Sequence, residues 1–292
     1  MKNYLAPMEG VTNWVYRNAY HDCFYPMDKY FTPFITAKPN KRLSSKEIKE
    51  VSPETNGDLP VIPQILTNNA EDFVKTAHIF RDEYGHREVN LNLGCPSGTV
   101  TAKGKGAGFL GEPDKLERFL DEIFAKCNIQ ISVKTRLGME DASGFPELMK
   151  LYNKFPMKEL IIHPRVQKDF YKNTPNLEMF AEAFAMSTNP VCYNGDIFCV
   201  EDHQRICERF PELDAVMSGR GTLTNPALAR EIRGGQALTK AELRKFHDLV
   251  YHTYRAEVSG DRNVLFKMKE LWFYMGPLFA NNKKISQKNQ KK

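Results

Sequence analysis

Apolar side chains recur along this chain with two different periods. Between residues 88 and 96 the order is Glu-Val-Asn-Leu-Asn-Leu-Gly-Cys-Pro, so Val89, Leu91 and Leu93 alternate with Glu88, Asn90 and Asn92. That two-residue period predicts a strand. It stops at Gly94-Cys95-Pro96, where glycine tolerates unusual dihedrals and proline biases Cys95 towards an extended conformation. A thiol is thereby presented just past a strand's carboxyl end. Comparable apolar runs predict strands over residues 4–8, 29–36, 61–66, 129–135, 159–163, 191–194 and 215–218. Helical spacing occupies the intervals at 13–23, at 70–84 and in a stretch striped by Leu116, Phe119, Leu120 and Ile123. It returns at 145–155, 177–186 and 200–210.

Eight strands alternating with helices call for parallel crossovers. That number predicts an α/β fold, a (β/α)8 TIM barrel over residues 1–235. From Thr239 onwards only helical spacing remains. Thr239-Lys-Ala-Glu242 fits a capping box, Leu243, Phe246, Leu249 and Val250 form one stripe, and Leu265, Met268, Leu271, Trp272, Met275 and Phe279 form a second. A small C-terminal all-helical domain is expected over 239–282. Residues 283–292 hold five lysines and no acid, which predicts a disordered tail.

Composition narrows the class. Of 292 residues, 41% are apolar and 26% charged, as in ordinary globular enzymes and unlike disordered chains. No apolar run approaches the ~18–20 residues of a membrane span, and Pro7 and Glu9 interrupt any secretory core, so a cytoplasmic protein without membrane association is expected. The six cysteines form no CxxC pair, which predicts free thiols and no metal site. The net charge of +5 is accounted for by the five terminal lysines, so a role with nucleic acid cannot rest on bulk charge.

Polar residues punctuate the predicted strands on one side. Met8-Glu9, Gln64, 92–95, 134–136, 163–165, 194–196 and 219–221 all fall at or near strand carboxyl ends. Barrel enzymes place their chemistry on that face. A thiol of ordinary pKa near ~8.5 holds its proton at neutral pH yet releases it readily, which suits Cys95 to general acid work. The plain alternative is a buried structural cysteine.

Taken together the motifs resemble the dihydrouridine synthases, flavoenzymes that reduce uridine in RNA. The resemblance is carried by Ala6-Pro7-Met8-Glu9-Gly10-Val11-Thr12, Pro63-Gln64, Asn92-Leu93-Gly94-Cys95-Pro96-Ser97, Val133-Lys134-Thr135-Arg136, Ile162-His163-Pro164-Arg165, Asn194-Gly195-Asp196-Ile197 and Gly219-Arg220-Gly221, in the family's order. It implies FMN held in a barrel, NADPH as reductant, hydride transfer to C6 of a uracil in tRNA, and Cys95 as proton donor to C5. It also implies flavin contacts from Pro7, Met8, Gln64, Lys134, His163, Asn194, Gly195, Asp196, Gly219 and Arg220, and RNA contacts from Asn92, Arg136 and Arg165. A monomer with a helical RNA-holding appendage is expected.

Each assignment has a structural competitor. Asn92 offers a donor and an acceptor to a uracil edge, or is a turn amide bonding local backbone. Lys134 sits in an otherwise apolar strand, either facing a reduced flavin's negative edge or paired with an acid inside the barrel. His163 alone reads as a satisfied core residue. Pro164 stands where the family usually has Gly or Ala, which unsettles the local backbone path. The 194–196 and 219–221 turns match the position of barrel phosphate sites, where glycine lets N–H groups approach an anion. The glycine-rich stretch 98–111 reads as a mobile lid. Rival functions are an FMN barrel acting on a free pyrimidine, like dihydroorotate dehydrogenase, and a catalytically dead RNA-binding barrel.

Overall fold

The computed structural model describes residues 1–39 and 42–279. The expected lysine tail, 283–292, lies outside the described residues. Ten strands form one sheet: β1 (Lys2–Leu5), β2 (Lys29–Phe31), β3 (Ile35–Thr36), β4 (Val61–Ile62), β5 (Gln64–Leu66), β6 (Glu88–Leu93), β7 (Gln130–Arg136), β8 (Leu160–His163), β9 (Val191–Asn194) and β10 (Ala215–Ser218). Every pairing is parallel. β1 lies between β10 and β2, β2 pairs with β4, β3 with β5, and β5 through β10 follow in order.

Two of the eight predicted strands are therefore broken. Residues 29–36 yield β2 and β3, and 61–66 yield β4 and β5. Pro33 and Pro63 stand at the breaks, where a residue without an N–H cannot donate to the ladder. Because both halves of one broken strand pair with both halves of the next, the sheet closes on itself as a TIM barrel.

Closure explains why β6 is buried along its whole length. Val89, Leu91 and Leu93 pack outward under the helices, within a large apolar cluster. Glu88, Asn90 and Asn92 point into the barrel, where polar groups need internal partners. Glu88 finds one at the amino end: Lys29 Nζ lies 2.9 Å from Glu88 and 3.5 Å from Glu159, and Tyr4 donates to Glu159 at 2.9 Å. The ion pair inside the barrel thus belongs to Lys29, not Lys134.

The C-terminal helix Lys240–Glu257 docks on the first helix, Trp14–Cys23, and Asp261–Met275 packs against Lys240–Glu257 and the short helix Arg220–Thr224. The expected capping box at Thr239 and Glu242 is present. Phe246 meets Tyr16 edge-on at 5.4 Å and Phe24 at 5.3 Å, and Asn13 Nδ2 donates to the Tyr254 hydroxyl at 3.0 Å. Leu243, Phe246, Val250 and Met268 share one apolar cluster with Leu5, Val15 and Tyr20. In the second helix Val264, not Leu265, faces this core; Leu265 is 48% exposed. Among the described residues no helix is long and apolar enough to cross a membrane.

Ser45–Val51 and Pro53–Asn56 are short helices in a stretch without apolar periodicity. A charge holds them. Arg17, fully buried, bonds Glu50 Oε2 at 2.8 Å, the Glu50 carbonyl at 2.8 Å and Asn56 Oδ1 at 2.9 Å, while Trp14 N donates to the same carboxylate at 3.0 Å. Removing one partner of such a pair leaves the other charge buried alone. Glu50→Ala should therefore lower the unfolding free energy by about 3–5 kcal/mol. Lys49→Ala, which breaks a half-exposed pair with Glu257, should cost less than about 1 kcal/mol. Urea denaturation of both variants checks this; equal costs would count against the buried pair as the anchor.

Candidate active site

The carboxyl ends of the strands surround a cleft of about 300 Å³. Every site residue expected from the sequence lines it except Arg165, which lies behind the wall. The cleft also receives residues that strand ends did not reveal: Pro33, Phe34, Tyr171, Phe198 and Tyr274. Tyr171 stands eight residues past β8 in an irregular loop, and Tyr274 comes from the last helix. Only tertiary folding brings them to the mouth, and local periodicity carries no trace of it.

The turn bearing Cys95 is fixed from several sides. Asn92 Oδ1 accepts from the amides of Gly94 at 3.0 Å and Cys95 at 2.9 Å. Its Nδ2 donates to Gln64 Oε1 at 2.7 Å, Gln64 Nε2 to Asn90 Oδ1 at 2.8 Å, and Asn90 Nδ2 to Ser132 Oγ at 2.9 Å. Asn92 is thus a turn cap, and the expectation that it is primarily an RNA contact gives way to its local bonds. On the other side Arg136 Nε donates to the Gly94 carbonyl at 2.9 Å.

The stretch 98–111 is likewise not a free lid. It folds into the short helix Gly98–Thr101 and the 3-10 turn Gly106–Gly111, with Ala107, Phe109 and Leu110 buried. Ala107 N donates to the Cys95 carbonyl at 3.1 Å. Gly106 sits there at φ +56°, where a Cβ would come within 2.9 Å of that carbonyl oxygen. Burial pushes the Cys95 thiol above its ordinary pKa, so the sulfur is protonated at neutral pH.

Across from the thiol turn the cleft wall is cationic. Lys134, next to Asn92 in strand register, has no ion-pair or hydrogen-bond partner among the described residues. It is open to the cleft yet ringed by protein, and burial, helped by the Arg136 charge, pulls its ammonium down to about 7. Arg136, depressed to about 10 chiefly by burial, donates to the carbonyls of Gly94, Val166 and Phe170. Each of its nitrogens has a backbone partner, so it braces the wall, while one N–H on each of Nη1 and Nη2 is left without a partner among the described residues at the cleft it lines.

Arg165 corrects the sequence reading further. It is 1% exposed and bonds Asp196 at 3.0 and 2.5 Å, the Asn173 carbonyl at 2.6 Å and His163 Nε2 at 3.0 Å. It cannot face RNA. Because arginine only donates, His163 Nε2 must accept, which leaves the proton on Nδ1 of a neutral ring. Burial, then the charges of Arg136, Lys134, Arg165 and Arg220, hold that imidazole well below its usual pKa. Pro164 fits without distortion: Arg165 N donates to the His163 carbonyl at 2.7 Å, a three-residue turn whose centre matches proline's fixed φ.

Asp196 is clamped between Arg165 and Arg220, and Asn194 Nδ2 donates to the Met217 carbonyl at 2.9 Å. The glycines have packing reasons. A Cβ on Gly195 would lie 2.0 Å from the Tyr193 hydroxyl, and one on Gly221 1.8 Å from the Ile197 carbonyl. Close approach of these two loops to their neighbours demands glycine here, whatever they bind. Arg220 begins a short helix, Arg220–Thr224, and stacks over Tyr171 at 4.7 Å. Lys134, Arg136 and Arg220 against Asp196 and Glu9 leave the mouth with excess positive charge, suited to an anionic ligand.

Residues 4–271 match the family model described as Dihydrouridine synthase (Dus). A probable tRNA-dihydrouridine synthase 1 of Synechocystis is 29% identical over 229 residues, 78% of this chain and 63% of that protein. The chain thus spans somewhat less than two thirds of that relative. A tRNA-dihydrouridine(16) synthase of Cupriavidus necator is 28% identical, covering 79% and 73%, and a probable tRNA-dihydrouridine synthase 2 of Bacillus subtilis is 27% identical, covering 87% and 79%. Among solved structures, morphinone reductase in complex with tetrahydroNAD superposes with a TM-score of 0.57 at 12% identity, covering 84% of this chain and 90% of that one. An old yellow enzyme homologue from Zymomonas mobilis gives 0.58 at 12%, covering 84% and 92%. Those two likenesses speak to the fold.

An unpaired lysine in such a site has a measurable signature. Its folded pKa of about 7 lies below an unfolded value near ~10.4. The unfolded chain therefore binds more protons between those values, and stability rises with pH across that window. Lys134→Met should stabilise the ligand-free protein by about 4 kcal/mol at pH 6.5 and by about 1 kcal/mol at pH 9.5. Urea denaturation at both pH values reads the difference. A gap that does not change with pH would show that the ammonium is not held at a cost.

Proposed function

The chain belongs to the dihydrouridine synthase family, and from that premise we propose that it reduces uridine to 5,6-dihydrouridine in tRNA, using FMN and NADPH. The observation that carries the reading is a protonated thiol, Cys95, braced just past the end of the strand whose Asn92 is the register partner of an unpaired cation, Lys134, with both Cys95 and Lys134 lining the cleft. The relatives named tRNA-dihydrouridine synthases support the choice of substrate.

The residues present suit FMN. A buried ammonium without a partner calls for an anionic or electron-rich neighbour, and Lys134 would meet the negative edge of the reduced ring near N1 and O2. Pro7, Met8 and Gln64 would line the ring, and His163 would donate from Nδ1. Arg220, with the backbone amides of the 195–196 and 219–221 turns, would receive the phosphate. Asn194 and Asp196 would hold those turns in shape, not touch the ligand. When bound, FMN supplies the hydride that NADPH delivers.

The chain's own residues then account for the proton. Hydride arriving at C6 of a uracil leaves negative charge on C5 and O4, and a proton must reach C5. Cys95 holds one at neutral pH and gives it up as the S–H bond breaks and C5–H forms. Its thiolate is left near Lys134 and Arg136, whose charges lower its energy, and regains a proton from solvent before the next cycle. Thr or Ser at this position would keep the proton too firmly. The thiol lies within a cleft walled by the strand ends, so the uridine must leave its stack to reach it.

Cys95→Ala is expected to keep the yellow flavin colour and NADPH oxidation while dihydrouridine formation falls by about 10²–10⁴-fold. Undiminished RNA reduction would place the acid elsewhere. Nucleotide-resolved mapping of dihydrouridine in cells with and without this protein tests the activity as a whole. If no position depends on it, the assignment fails.

A further inference from the structure

Among the described residues one non-glycine backbone adopts positive φ: Phe170, at φ 51° and ψ −94°. A bulky L-residue pays for that region in strain, and such strain persists only where neighbours enforce it. The enforcement is visible. Arg136 Nη2 holds the Phe170 carbonyl at 2.9 Å, Phe170 N donates to the Gln167 carbonyl at 3.1 Å, and Asp169 accepts from Val166 N at 3.2 Å. The phenyl ring joins none of the apolar clusters formed by the described residues and is 43% exposed. Glycine would hold this turn without strain. Something outside the fold keeps phenylalanine there.

The surroundings say what. Gln167 Nε2 donates to the Pro96 carbonyl at 2.7 Å, which ties this segment to the residue after Cys95. Tyr171, next in sequence, lines the cleft and is 42% exposed. Exposed lysines flank the two rings: Lys168, in a loose pair with Glu140 at 3.7 Å, and Lys172, which has no ion-pair partner among the described residues. Aromatic rings interleaved with cations at the edge of a groove are what single-stranded nucleic acid requires, rings for bases and cations for phosphates.

We propose that Phe170 is a positioning residue for RNA: its ring stacks on a nucleobase adjoining the extruded uridine, and Lys172 meets the intervening phosphate. This rests on the reading of the cleft as an RNA uridine reductase. It assigns a substrate contact to a residue outside the cleft wall. Stacking of one base is worth about 1–3 kcal/mol, or roughly 5- to 150-fold in affinity.

The test uses the flavin-loaded protein and tRNA lacking dihydrouridine. Phe170→Gly should raise Tm by about 2–4 °C, because strain is released. It should leave NADPH oxidation without RNA unchanged and raise the KM for tRNA about tenfold, with kcat at saturating RNA near wild type. Phe170→Tyr should restore the KM. Lys172→Ala should weaken binding and reduce the slope of log Kd against log salt by about one. A KM for Phe170→Gly within twofold of an active wild type overturns this inference alone, and a lowered Tm removes its ground. Wild-type protein that forms no dihydrouridine in that RNA overturns the reading of the cleft and this inference together.

Discussion

One carboxamide governs the catalytic turn. Asn92 Oδ1 receives two consecutive amides, and its nitrogen continues through Gln64 and Asn90 to Ser132. A closed parallel barrel sends every second side chain inward, so polar groups there must satisfy one another or remain unpaired. The amide chain meets that demand for three adjacent strands, and its free end sets the direction of the thiol. Aspartate could accept the same two amides, but it would bring a charge and lose the donor to Gln64. The position of Cys95 is therefore fixed from the barrel interior as well as by the segment that follows it.

Above that layer the balance of charge reverses. At the amino end Lys29 is matched by Glu88 and Glu159, whereas at the carboxyl end Lys134 faces no carboxylate among the described residues. Arg136 and Arg165 are committed to carbonyls and to Asp196, so they brace the wall while their charge still reaches the cleft. Burial, helped by their field, keeps His163 neutral, which preserves a donor on Nδ1 and avoids adding another cation. The site is thus a region of imperfect internal compensation built on a well-compensated base, as expected where a ligand completes the electrostatics.

Strand identity and direction were legible because the apolar period is local: β6, β9 and β10 have the boundaries that alternation predicts. The prolines that split two strands were visible, but whether a proline ends a strand depends on which edge its missing N–H faces, and that is tertiary. The same limit explains the arginines. Arg165 sits beside a strand end as a ligand-binding arginine would, yet its partner Asp196 is 31 residues away. Asn92 shows the reverse case, since a turn cap was one of two local readings and only the geometry of Gly94 and Cys95 decides between them. Phe170 gave no signal at all, because a left-handed φ on a bulky residue is enforced by Arg136 from another strand.

The packing of the last two helices bears on how the chain acquires its shape during synthesis. β1 needs β10 as its parallel neighbour, and the first helix completes its apolar face only against Phe246 and Val250. Lys267 donates to the Gly10 carbonyl at 3.0 Å, and Tyr274 reaches the cleft. β1 and the first helix are thus synthesised long before the partners that cover them. Until then they expose aromatic surface, and a chain released early would carry the whole amino-acid complement of the thiol turn without a closed barrel to hold it.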